Sequence, residues 1–156
     1  MKTYLLAPCL LLTFMVTTAQ ESVLPGPVKQ AFEKKYPGAR HLDWYVENEN
    51  YILEFEIGMD SYASCYDKTG TWIETGVVVA DSDIPQAVTA AINEKCPRHT
   101  ISYAENMDNS KGEKFFRVHC FSEDSDFLFN VTANGKMLSF EKKDSYKAPE
   151  PEEESE

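Results

Sequence analysis

The amino-acid sequence predicts an α+β fold of two tandem α-β-β-β-β repeats. They form an antiparallel sheet with both helices packed on one face and the other face open. Three observations predict it. First, the chain writes one helix twice: Pro25, Val28, Ala31, Lys35 and Pro37 recur as Pro85, Val88, Ala91, Lys95 and Pro97, and Leu24 and Phe32 become Ile84 and Ile92. Second, each copy is followed by segments that alternate apolar and polar residues, the period of a strand. Third, these segments are joined by short turns, and short connections make neighbouring strands antiparallel. One helix on four strands buries little apolar surface, so a second copy extending the sheet is the economical way to complete a core.

The elements follow in order. In the first copy Val28, Ala31, Phe32 and Tyr36 form one apolar stripe, while Lys29, Gln30, Glu33 and Lys34 take the wet side. Pro25 or Pro27 suits the first turn, where a missing N–H costs nothing. "YPG" stops the helix. "HLDWYV" then alternates with Leu42, Trp44 and Val46 expected inward. "YILEFEI" places Tyr51, Leu53, Phe55 and Ile57 inward and Glu54 and Glu56 outward. "SYASCYD", the turn "DKTG" and "TWIETGVVVA" complete the copy. "DSD" at 81–83 links the copies and offers a cap for the second helix. That helix carries Val88, Ala91, Ile92 and Cys96 as its stripe and stops at Pro97. "TISYAEN", a longer polar loop "MDNSKGEK", "FFRVHCF", "FLFNV", "TANG" and "KMLSFEKK" repeat the strand pattern, with Gly135 in the turn that matches Gly70.

The ends read differently. Lys2 and "YLLAPCLLLTFMV" form a signal peptide, with small residues before a cut after Ala19. The apolar run is too short to span a bilayer comfortably, so the exported chain is expected to lie in the periplasm or outside the cell, without membrane insertion. The organisation is therefore a signal peptide at 1–19, repeats at 20–80 and 81–143, and an acidic tail at 144–156 whose prolines and glutamates predict disorder. Fifteen basic against 26 acidic residues give a formal charge of −11. Nucleic-acid binding needs a basic stripe, and none is present.

The stretches "LPGPVKQAFEKKYPGARHLDW", "YILEFEI", "YDKTGTWIET" and "DIPQAVTAAINEKCP" resemble the PepSY-like, beta-lactamase-inhibitor-like proteins of the bacterial envelope. The resemblance spans roughly residues 22 to 142. Its marks are the proline-led helix ending in Tyr36-Pro37, Trp44, the aspartate-to-glycine turn before Trp72, and the second proline-led helix. It implies an exported, non-enzymatic protein that binds or inhibits another protein, a peptidase or other envelope enzyme, with no cofactor and no catalytic residue. The second copy departs from the pattern, with Cys96 in place of Tyr36 and Ala104 in place of Trp44.

The residues themselves carry no catalytic motif: HExxH, GxSxG and a phosphate-cradling glycine loop are all missing. Cys96, His99, His119 and Cys120 have metal-binding chemistry, but His119 and Cys120 are strand neighbours and point to opposite faces, so no metal is expected. Cys96 and Cys120 both fall at inward positions. A disulfide between them, two buried thiols, or another pairing with Cys65 each fit the three cysteines expected once Cys9 is removed with the signal peptide. Binding residues are sought on the outward set instead. The first copy offers Tyr45, Ile52, Glu54 and Glu56; the second offers Arg117, His119 and Phe121. Trp72 and Met137, after the two glycine turns, join this candidate set if they face outward. Aromatic, apolar and charged groups mixed on one surface suit a protein interface. A small-molecule- or glycan-binding envelope protein is the alternative.

Overall fold

A computed structural model of the protein describes residues 23–122 and 125–144. The expected signal peptide, and the acidic tail beyond Asp144, lie outside these residues. The element order is α1 (Gly26–Lys35), β1 (Arg40–Glu47), β2 (Asn50–Ile57), β3 (Asp60–Tyr66), β4 (Trp72–Val78), then α2 (Gln86–Lys95), β5 (Thr100–Asn109), β6 (Lys114–Ser122), β7 (Ser125–Val131) and β8 (Met137–Asp144). All eight strands form one antiparallel sheet in sequence order, β1 to β8. The fold is α+β: a helix and four strands, twice over.

Both helices pack on the same face. Val28 and Phe32 of α1 meet Leu53, Phe55 and Tyr66 in one buried cluster; Val88 and Ile92 of α2 meet Val118, Phe129 and Val131 in another. The two helices begin alike. Pro25 and Pro85 are the N-caps, and their carbonyls accept from Lys29 N and from Val88 and Thr89 N. Each ends on a residue that leaves helical geometry, Tyr36 or Cys96, whose N–H closes the last turn on Phe32 O or Ile92 O. The expected cap from "DSD" is not made: Asp81–Asp83 forms a 3-10 turn and no side chain caps α2. The reason is that Pro85 lies between that turn and the first helical residue.

The glycine turns pin each helix to its own strands. Gly70 has φ +84°, and a Cβ there would sit 2.5 Å from Pro27 O; Gly135 has φ +85°, with Ala87 O at 2.8 Å. Only glycine accepts both the left-handed backbone and the close approach.

Four bulges, at matching places in the two copies, set which side chains face which way. His41 and Leu42 stand opposite Phe55, and Ser102 is the extra residue between the pairs Ile101–Cys120 and Tyr103–His119. Ile73 is extra between Glu74–Cys65 and Trp72–Tyr66, and Leu138 between Ser139–Asn130 and Met137–Val131. An inserted residue reverses the facing of everything beyond it. Two expectations are corrected here. Leu42 falls in a bulge and Val46 extends beyond the cover of α1, so both are exposed and only Trp44 of that trio is half-buried. The expected polar loop after "TISYAEN" is shorter than its sequence suggests, because β5 runs on to Asn109 and only residues 110–113 make the turn.

Candidate functional site

The face opposite the helices carries a concavity of about 520 Å³ at the junction of the two copies. Its shape follows from side-chain size along the sheet rows. One row runs Glu54, Ala63, Gly76, Met107 across β2, β3, β4 and β5, and the next pairs Ile52 with Cys65 and Cys65 with Glu74. Small residues therefore floor the middle of the sheet. Larger ones rise on either side: Tyr45 and Glu54 from the first copy, Tyr103, Arg117 and His119 from the second. Gly76 matters for a second reason. A Cβ there would lie 2.5 Å from Glu105 Oε1 and 2.7 Å from Met107 Sδ, so the Glu105 side chain lies across β4 over the bare backbone.

The electrostatics are uneven. Arg117 holds Glu74 through two bonds, Nη1 to Oε1 at 2.8 Å and Nη2 to Oε2 at 3.2 Å, and its Nε donates to Asn130 Oδ1. Asn130 passes the chain on to Ser139 Oγ. This line crosses the open face from β4 to β8. Glu105 is only 6% exposed, and burial pushes its carboxyl up, against the pull of Arg117 and the Tyr103 hydroxyl. Tyr103 is pushed up to about 12, by burial first and then by Glu105; Tyr45 is raised by burial and then by Glu54 and Glu47. Two tyrosines and several carboxylates thus share one field.

Of the candidate residues, Tyr45, Ile52, Glu54, Arg117 and His119 line the concavity. Glu56 lies on the same face but in an adjoining depression, with His41 Nε2 at 3.9 Å from its Oε2. Phe121 is 46% exposed and pairs with Thr100 and Asp126 at the outer end of β6, outside the lining. Trp72 and Met137 are corrected: both pack against the helix-side clusters. The bulges at Ile73 and Leu138 put them on the face of Tyr66 and Val131. Trp72 is further fixed by Nε1 donating to Thr75 Oγ1 at 2.8 Å and by Lys35 Nζ at 3.7 Å from the ring centroid. The residues missed by sequence reasoning are Tyr103, Glu105 and Glu74. The opposite facing of Ala104 was a usable signal for the first two, since Ala104 replaces the inward Trp44.

The cysteines divide by face. Cys96 and Cys120 are buried in the α2 cluster as thiols, and Cys120 is pushed up to about 12 by burial and then by Cys96. Cys65 lines the open concavity and is pushed up to about 11 by burial and then by Glu74. A thiol so raised is protonated at neutral pH and is a poor nucleophile. His99 Nδ1 contacts Cys96 O at 2.7 Å, while His119 lines the other face, so the four residues with metal-binding chemistry do not converge. Among the described residues, no group of three or more His, Cys, Asp or Glu is placed to hold a metal ion. No helix among them is long and apolar enough to cross a membrane.

No protein-family model and no curated protein matches the sequence. Solved structures do match the fold. The chain is similar to a DUF2874 family protein from Bacteroides uniformis ATCC 8492, with TM-score 0.67 at 16% identity over 77% of this chain and 90% of that one. It is similar to a BLIP-like protein from Bacteroides fragilis NCTC 9343, with TM-score 0.65 at 16% identity over 83% and 96%. It is also similar to a protein of Bacteroides eggerthii DSM 20697 provisionally described as periplasmic, with TM-score 0.67 at 14% identity over 78% and 90%. The chain has a BLIP-like fold. At these identities the likeness speaks for architecture alone.

Proposed function

We propose that the protein is an exported, non-enzymatic binding module of the periplasm or cell exterior, which captures a protein partner on its open sheet face. The observation that carries this reading is the concavity itself. It is built by both copies, is left uncovered among the described residues because both helices lie on the other side, and mixes exposed aromatic rings with charge; Tyr45 is 47% and Tyr103 39% exposed. The repeats at 20–80 and 81–143 then act as one platform rather than as two modules. The BLIP-like fold and the sequence resemblance support the same direction, with inhibition by coverage of a peptidase or other envelope enzyme as the finer proposal. The raised Cys65 thiol argues against nucleophilic chemistry on this face.

Site-specific photo-crosslinking tests the reading. A crosslinker replacing Tyr45 or Tyr103 is expected to give protein adducts in envelope extract, and one replacing Lys34 or Glu94 on the helices is expected to give none. Equal labelling from both faces, or adducts from the helices alone, contradicts capture on the sheet.

A further inference from the structure

The carboxylates of the concavity outnumber its cations. Glu47, Glu54, Glu74 and Glu105 line it, against one guanidinium. That guanidinium is committed: its two terminal nitrogens hold Glu74 and its Nε holds Asn130. Neither Glu54 nor Glu105 has an ion-pair partner within 4.0 Å among the described residues. Glu105 is the telling member. It is a buried carboxylate laid across Gly76 at the floor of the concavity, with the Tyr103 hydroxyl as its neighbour and Arg117 opposite it on β6, but it forms no ion pair within 4.0 Å among the described residues. A buried carboxylate without a paired charge is costly to keep, and an arriving cation offsets that cost. Tyr45 and Tyr103 supply ring faces for the stem or head of such a group.

We propose that the partner presents an arginine or lysine side chain to this concavity, with its cationic head between Glu54 and Glu105 and its stem against Tyr45 and Tyr103. This rests on the reading of the open face as the capture surface, and it adds the chemistry of the partner: a basic, aromatic-flanked segment of a protein. A partner acidic at the contact would meet Glu47, Glu54 and Glu105, while the one guanidinium is already holding Glu74. The small side chains of Ala63 and Cys65 give the long side chain its room, and the Glu74–Arg117 pair closes the far wall.

The test uses the exported chain, isotopically labelled, and two capped peptides. One carries a single arginine between two phenylalanines, and the other has glutamate in its place. The arginine peptide is expected to shift the amide signals of Tyr45, Glu54, Tyr103 and Glu105, while the glutamate peptide leaves them unmoved. Glu54→Gln, an exposed and fold-neutral change, is expected to weaken the arginine peptide about threefold, and the double variant with Glu105→Gln about tenfold. Equal binding of both peptides to this face overturns the cation preference and leaves the capture surface standing. Binding of neither peptide, or shifts confined to the helix side, overturns the proposal, while the crosslinking result judges the face independently. Free arginine binding as tightly as the peptide assigns the site to a small cation and overturns the protein partner.

Discussion

The two faces of this sheet are built from the same strands and do opposite work. The helix side is apolar and closed, with Leu53, Val88, Val118, Phe129 and Val131 fully buried. The open side buries a carboxylate, Glu105, and leaves Tyr45, Tyr103 and Phe121 substantially exposed. Stability alone would favour an apolar residue over a buried charge, so the difference supports the proposed contact role of the open side. Substitutions at paired positions on the two faces therefore sharpen or break the contrast.

The largest effect is expected in the helix-side core. Phe129→Ala should cost about 3–5 kcal/mol in urea unfolding, whereas Tyr45→Ala should fall within about 0.5 kcal/mol of the parent. Comparable losses at both positions would remove the division of labour. Next come the glycine turns. Gly70→Ala combines a left-handed backbone with a clash against Pro27, and about 1–3 kcal/mol of destabilisation is expected. Gly76→Ala meets the side-chain ends of Glu105 and Met107 rather than backbone, so it should lower the unfolding midpoint less than Gly70→Ala while weakening the arginine peptide. The thiols follow. In the folded protein Cys120, with its thiol near 12, should resist iodoacetamide at mildly alkaline pH. With Cys96 and Cys120 as thiols, Cys65, Cys96 and Cys120 should all label after denaturation; labelling of Cys65 alone would show a Cys96–Cys120 disulfide instead.

The smallest effect concerns pH. Because burial raises the Glu105 carboxyl in the folded state, the folded chain binds this proton more tightly than the unfolded chain. Its contribution is most favourable below the ordinary carboxylate range and is lost as pH rises through the raised folded value. Glu105→Gln should remove that component from the stability–pH profile. A profile identical to the parent's would contradict the assignment.

The helices and their burial stripes were legible because a period near four is read over many residues, and the repetition of Pro25–Pro37 as Pro85–Pro97 made each copy a check on the other. The β2 facing of Leu53, Phe55 and Glu54 was legible for the same reason, as an uninterrupted alternation. The bulges were not. A single extra residue at Ile73, Leu138 or Ser102 leaves no signature in alternation, yet it turned Trp72 and Met137 toward the helices and Tyr103 and Glu105 away from them. The site was therefore half visible: Glu54 lay on the uninterrupted strand β2 and Tyr45 next to the recognisable Trp44, whereas their counterparts across the floor lay beyond a bulge with no such marker. The floor of Ala63 and Gly76 was hidden for another reason, since small residues announce a depression only once the rows of the sheet are known.

The contrast between the faces is tested most directly by measuring stability and binding on Glu105→Gln together. At neutral pH the account predicts an unfolding midpoint equal to or above the parent's and a weaker arginine-peptide complex. A lowered midpoint with unchanged peptide affinity would make Glu105 a structural residue and would contradict the account.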